Sequence, residues 1–215
     1  MGSDWALVNN KTIAIVSQKG GSGKTTLAVH LGTRAAQDAM ESCVIDTDPQ
    51  ATAAAWSDWR GDFLPVVMTA PPARLGRTID SARKNGVEFI VIDTPPHADA
   101  AAREAIKAAD IVLVPTKQRA FDLHALEPIA DLVSFAKKPA YVVLNGVPAG
   151  ATVLTKDAKK AAKEMGLKMC PVELGDRAAF HRSSAKGETA SEVDPEGKAA
   201  KEIEKLWKWL GKKLK

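Results

Sequence analysis

The sequence has no apolar run near the roughly 20 residues that a membrane-spanning helix needs. That argues against a helical integral membrane protein. Its first ten residues, MGSDWALVNN, lack the basic start and apolar stretch of a secretory signal. They open like a myristoylation site, but Ala6 stands where Ser or Thr is wanted. Cytoplasm is therefore the expected compartment. Cysteine is scarce: Cys43 and Cys170 lie far apart, each inside an apolar segment (SCVID and KMCPV). Without paired spacing they form neither a metal knuckle nor a redox pair, and both are read as small core residues. There is no internal repeat, low-complexity tract or long linker. With ten or so residues ahead of the first apolar strand, no separate DNA-reading module is expected there.

What is present is ordinary for a globular domain. Hydrophobic residues make up 45% and charged residues 26% of 215 residues, enough for one sizeable core and not for two. A single domain over residues 1–215 is expected. The net charge of +4 is unevenly spread. Residues 198–215 carry seven lysines against two glutamates, a net +5, so the rest of the chain is close to neutral. A basic terminus on a neutral body points to a polyanion surface, nucleic acid or anionic lipid; the plain alternative is a solvated helical face.

Apolar, β-branched runs alternate with amphipathic stretches. TIAIVS (12–17), CVIDT (43–47), FIVIDT (89–94), IVLVPT (111–116) and YVVLNG (141–146) read as buried strands apolar on both faces, the pattern of a parallel sheet covered by helices. PVVMTA (65–70) and MCPVEL (169–174) are weaker strand candidates. Helical patterns fall at about 24–39, 50–59, 73–85, 99–109, 121–136, 155–165, 176–186 and 197–213, with Gly86 and Gly166 suited to left-handed C-caps. The expected fold is α/β: a doubly wound, mostly parallel sheet with helices on both faces.

The first strand runs into Gln18-Lys19-Gly20-Gly21-Ser22-Gly23-Lys24-Thr25-Thr26 and then a helical stretch. Glycines let a loop curl so that its N–H groups point at phosphate oxygens, and the following helix adds its positive N-terminus. In such a loop Lys24 reaches the β- and γ-phosphates and the Thr25 hydroxyl ligates Mg²⁺. Gln18 stands where a first glycine is usual, and Lys19 is an extra lysine. Two strand ends add carboxylates: Asp46 and Asp48 in Cys43-Val-Ile-Asp46-Thr-Asp48-Pro-Gln50, and Asp93 in Phe89-Ile-Val-Ile-Asp93-Thr94-Pro95-Pro96. Strand ends of an open parallel sheet face the ligand crevice. A carboxylate closing a buried strand is costly unless it is paired or near a cation.

The pattern K-G-G-x-G-K-T-T resembles the ParA/MinD superfamily of P-loop ATPases, and the D-x-D-P-Q and I-V-I-D-T-P-P segments fit the same family. The resemblance implies an ATP-sandwich homodimer in which Lys19 reaches the partner's nucleotide. It implies that Asp48 orients the attacking water, Asp46 helps organise the magnesium region, and Asp93 holds Mg²⁺. Asn145 matches the asparagine that reads the adenine edge in relatives, with Pro171 near the base. ATP and Mg²⁺ are the implied cofactors. DTDPQATAAAW, DTPPHADAAAREAIKAAD, LVPTKQRAFDLHAL and the C-terminal region look closest to short partition ATPases of plasmids. Such proteins bind DNA without sequence preference and are stimulated by a centromere-bound, ParB-like adaptor, which implies a nucleoid-associated location.

Candidate DNA contacts are Lys159, Lys160, Lys163, Arg177, Arg182, Lys186, Lys201 and Lys205. Relatives position other cargo, such as carboxysomes, and a protein-cluster-positioning role is an alternative. So is a MinD-like membrane cycle, because Ile203, Leu206, Trp207, Leu210 and Leu214 share one face of a lysine-rich terminal helix; a stripe of this kind also serves simply to pack on the sheet. An electron-transferring iron protein would need cluster cysteines that are not in the right places. A ligase or synthetase fits on fold alone, which does not fix function.

Overall fold

The computed structural model describes Trp5 and residues 10–215; the myristoylation-like start, Gly2 to Ala6, lies outside the described residues apart from Trp5. Eight strands, β1 (Lys11–Ile15), β2 (Ser42–Asp46), β3 (Val66–Thr69), β4 (Phe89–Asp93), β5 (Ile111–Thr116), β6 (Ala140–Val147), β7 (Lys168–Met169) and β8 (Leu174–Gly175), form one sheet. The order is β3-β2-β4-β1-β5-β6-β7, β8 also pairs with β6, and every pairing is parallel. The helices are α1 (Lys24–Gln37), α2 (Thr52–Arg60), α3 (Leu75–Lys84), α4 (Asp99–Ala108), α5 (Ala120–His124), α6 (Glu127–Ala136), α7 (Thr152–Glu164), α8 (Ala178–Ser184), α9 (Ala190–Val193) and α10 (Lys198–Leu214).

The continuously apolar strands divide their side chains between two cores. Ile13, Ile15, Val44, Val91 and Leu113 face α1 and α10. Ala14, Cys43, Ile45, Ile92 and Val112, one position along, face α3, α4 and α6. Both cysteines are buried and unpaired, and burial pushes each thiol up to about 12, as inert core residues should behave. Gly86 and Gly166 take positive φ after α3 and α7.

Two expectations change in detail. The single helix at 121–136 is two, α5 and α6, because Pro128 lacks an N–H and its ring opposes the carbonyl one turn back; it fits only in a first turn, so a new helix starts there. The strand at 169–174 is likewise split into β7 and β8 around Pro171. The terminal helix is a core element. Ile203, Leu206, Trp207, Leu210 and Leu214 are buried in the same core as Leu27 and Leu31 of α1, each worth roughly 2 kcal/mol of apolar burial. Trp207 stacks on Trp5 with ring centroids 3.8 Å apart, and its Nε1 donates to Asp38 Oδ2 at 2.7 Å. The apolar stripe that suggested a membrane surface therefore faces inward, and no described helix is long and apolar enough to cross a membrane.

His30 is sealed between α1 and α9. Its Nδ1 is 2.7 Å from the Thr26 carbonyl, and its Nε2 accepts the Ala190 N–H at 3.0 Å. Accepting at Nε2 requires the neutral ring, and burial holds the pKa down to about 4. The unfolded chain binds this proton first, so stability is lost as pH falls from about 6.5 towards 4. From pH 7.5 to pH 5 the urea-unfolding free energy of the wild type should drop about 2 kcal/mol more than that of His30→Gln; parallel profiles would refute the assignment.

Candidate nucleotide site

The site forms where β1, β4 and β2 end side by side. Ile15 pairs with Asp93 and Asp93 with Asp46 in register. The Asp93 carbonyl accepts the Thr47 N–H at 3.0 Å and the Thr47 hydroxyl at 2.8 Å, while the Thr94 hydroxyl donates to the Ile15 carbonyl at 2.9 Å. Two threonines thus lock the strand ends beneath the glycine-rich loop. Lys24 is the first residue of α1, and Leu27 N–H closes that helix onto Gly23.

The loop depends on its glycines. Gly21 and Gly23 have φ of +70° and +93°, which disfavours any side chain. A Cβ on Gly23 would also stand 2.0 Å from Asn145 Nδ2, which donates to the Ser22 carbonyl at 2.7 Å. Asn145 thereby ties the end of β6 to the phosphate loop. Gln18 fills the place of the usual first glycine without strain. Its carbonyl accepts the His97 N–H at 3.2 Å and its side chain bonds Asp99, so it links the loop to the start of α4.

Charges gather under the loop. The Thr25 hydroxyl donates to Asp93 Oδ2 at 2.5 Å, whereas Asp93 Oδ1 is buried with no partner, as is Ser22 Oγ. Burial, with Asp46 adding to it, pushes the Asp93 carboxyl up to about 7 against the opposing Thr25 hydrogen bond and Lys24 charge. Lys24, whose Nζ donates to the Lys19 carbonyl at 3.2 Å, is lowered by its own burial despite Asp93 and Asp48. An orphaned carboxylate oxygen beside a hydroxyl is the donor set a hard cation takes. The described residues hold no cluster of three His, Cys, Asp or Glu side chains, so phosphate oxygens and water would have to complete the coordination. Asp46, expected to help organise the magnesium region, acts through backbone amides. Its Oδ1 accepts the Asp48 N–H at 2.9 Å, and its Oδ2 accepts those of Ala53 and Ala54 at 2.9 and 3.3 Å. It fixes the Asp48 turn to the first turn of α2, an organising position.

From the loop a cleft of about 330 Å³ runs past Lys117–Arg119, Asn145 and Gly146 to Leu174–Arg177. Pro171 is exposed and outside it. β8 reaches Asn145 only from Leu174 onward, so the chain has passed Pro171 before it meets the crevice. This wall was not legible in the sequence; only its strand-end position after β6 hinted at it.

Residues 13–190 match the family described as CobQ/CobB/MinD/ParA nucleotide binding domain. The chain belongs to this family. A "Maintenance of carboxysome distribution protein A" of Gloeobacter kilaueensis is 31% identical over 95% of this chain and 94% of its own length. The Thermus thermophilus "Chromosome-partitioning ATPase Soj" is 28% identical over 58% of this chain and 60% of its own. Among solved structures, a Cyanothece McdA–ATP complex superposes with TM-score 0.73, 19% identity and 98% coverage of both chains. Pyrococcus furiosus cell division ATPase MinD gives TM-score 0.74 and 22% identity over 94% of this chain and 99% of that one.

As a CobQ/CobB/MinD/ParA domain, the chain keeps Lys19 exposed at the loop. The eight cations proposed for DNA do not form one uniform set. Arg177 lines the cleft and pairs with Glu202 at 2.8 Å, which takes it out of the solvent-facing group. Lys159, Lys160 and Lys201 pair with Glu173, Glu164 and Glu196 at 2.5, 3.9 and 3.0 Å. Lys163, Arg182, Lys186 and Lys205 are exposed, and no ion pair joins them to an acid among the described residues. The lysines of α7 and α10 stand on opposite layers, since α7 packs through Ala162 into one core and α10 through Leu206 into the other.

Gly23→Ala should abolish nucleotide binding while the chain stays folded, because its Cβ would displace Asn145 and strain the loop. Calorimetry with ADP checks this; binding within threefold of wild type would contradict the loop's dependence on that contact.

Proposed function

We propose that this chain is a Mg²⁺-dependent ATPase that dimerises on ATP and positions a large protein assembly over DNA, with hydrolysis stimulated by an adaptor protein. The observation that carries the chemistry is the buried Asp93 Oδ1, left without a partner beside Thr25 and Lys24. A family fold with nucleotide-binding relatives supports the same reading.

The loop amides and the α1 N-terminus hold the phosphates. Lys24 sits where it can compensate β- and γ-phosphate charge. Thr25 and Asp93 would hold the cation, Asp93 directly or through a water. Magnesium in that place supplies electrostatic stabilisation of the charge that develops on the phosphate oxygens. Asp48, on the turn that Asp46 fixes, orients the attacking water. Lys19, exposed and without a side-chain partner among the described residues, reaches the nucleotide of a second copy.

The cargo reading departs from plasmid partition, the role the segments near Asp48 and Asp93 first suggested. Relatives named for carboxysome distribution align along 90–95% of the chain, whereas those named for chromosome partitioning align with 54–62% of it. That favours positioning of a protein assembly. The exposed Arg182, Lys186 and Lys205, on the layer of α8 and α10, support a non-specific DNA surface and with it a nucleoid location; Lys163 stands on the opposite layer. The buried stripe of α10 speaks against a membrane surface.

Asp48→Ala should keep ATP affinity within a few fold while turnover falls ~10²-fold or more; affinity and turnover falling together would make Asp48 a structural residue. Light scattering with ATP should show Asp48→Ala as a dimer and Asp48→Ala with Lys19→Ala as a monomer. A double variant that stays dimeric would remove Lys19 from the interface. Duplex DNA of any sequence should bind the ATP form and be released by moderate salt; binding to anionic liposomes without binding to DNA would overturn the DNA assignment.

A further inference from the structure

Glu202 stands outside the residues that line the cleft, yet its carboxylate bonds two that do. Its Oε2 accepts the Gly175 N–H at 2.9 Å, and its Oε1 accepts Arg177 Nη2 at 2.8 Å and Nε at 3.2 Å. The guanidinium is held through two of its nitrogens, an arrangement that fixes its plane as well as its position. That plane is pressed against Gly175. A Cβ there would meet Arg177 Nε, Cζ and Nη2 at 2.6–2.7 Å, although Gly175 itself has no positive φ. The glycine is required by the arginine above it.

The wall is continuous with the phosphate loop. β8 pairs with β6 at Asn145, and Asn145 donates to the Ser22 carbonyl. Behind the wall, α10 is anchored by Ile203, Leu206 and Leu210 in the core. Glu202 therefore transmits the rigidity of a packed helix to a two-residue strand that has little of its own. An arginine with a partly exposed side chain and no such partner would sample many rotamers, and ordering it would oppose ligand binding.

We propose that Glu202 is a positioning residue for the nucleoside: it holds Arg177 and the Gly175 backbone as the surface on which the base and ribose rest. This rests on the reading that the cleft takes a nucleotide, with its phosphates at Gly20–Thr26. The role of α10 then extends beyond packing, since one of its side chains shapes the far end of the site.

The phosphates and the nucleoside make separate demands, and the test uses that. Calorimetry compares Mg-ADP with Mg-pyrophosphate, which carries the same number of phosphates and no nucleoside. Wild type should bind ADP more tightly than pyrophosphate. Glu202→Gln, which keeps the size of the side chain but loses its charge, should weaken ADP about tenfold, the loss of a charge-assisted pair, and leave pyrophosphate within twofold. Gly175→Ala, which leaves Glu202 intact and displaces Arg177, should give the same split and carries the test if the first variant folds poorly. Equal weakening of both ligands would make Glu202 a support of the fold alone, and unchanged ADP binding would remove it from the site; either overturns the proposal. Wild type binding ADP no tighter than pyrophosphate would instead overturn the nucleotide reading of the cleft, and Glu202's role with it.

Discussion

A carboxylate sealed from water at the end of a central strand, with one oxygen bonded to Thr25 and the other to nothing, sets the terms for the structure around it. Desolvation raises its proton affinity to near neutrality, and an unpaired buried charge is among the costlier features a fold can carry. Lys24 nearby is depressed by its own burial. In each group the cost of burial outweighs the charge that the other supplies. A bound cation would offset Asp93 and nucleotide phosphate would offset Lys24, so the protein's own stability is partly deferred to that ligand. The threonines that clamp the strand ends keep the constellation in place until then.

The surrounding architecture serves that point. A parallel sheet with both faces covered brings three strand ends into one crevice, and the two cores hold them there from opposite sides. Asp46 extends the control to the next turn by bonding the Asp48 amide and two amides of α2. Asn145 does the same from β6 through Ser22. The loop is thus bounded by fixed elements on both sides, while Lys19 projects from it. A rigid seat with Lys19 exposed at its rim is what the proposed ATP-dependent association of two copies would use.

Much of this was legible in the sequence, and what was not has a common physical reason. Apolar runs ending in aspartate, and glycines spaced around Lys24, are local signals; they placed β1, β2, β4 and the phosphate loop to within a residue or two. Asp46 was found as an organiser, but the partners through which it organises, the amides of Ala53 and Ala54, were not legible from its own segment. Arg177 looked like a surface cation because Glu202, its partner, lies 25 residues downstream. The resemblance put Pro171 near the base; it lies outside the cleft because the short strand that builds the wall, β8, starts only at Leu174. The stripe of α10 allowed packing or a membrane surface, and only the positions of α1 and Trp5 decide between them.

The central claim is that the unpartnered Asp93 Oδ1 belongs to a cation bound together with nucleotide. Titration of ATP into the protein with magnesium and with excess chelator tests it most directly, with Asp93→Asn alongside. The account predicts that magnesium tightens ATP binding at least tenfold in wild type, about 1.4 kcal/mol, and that Asp93→Asn loses most of that gain. Equal affinity with and without magnesium, or an Asp93→Asn variant as responsive as wild type, would contradict it.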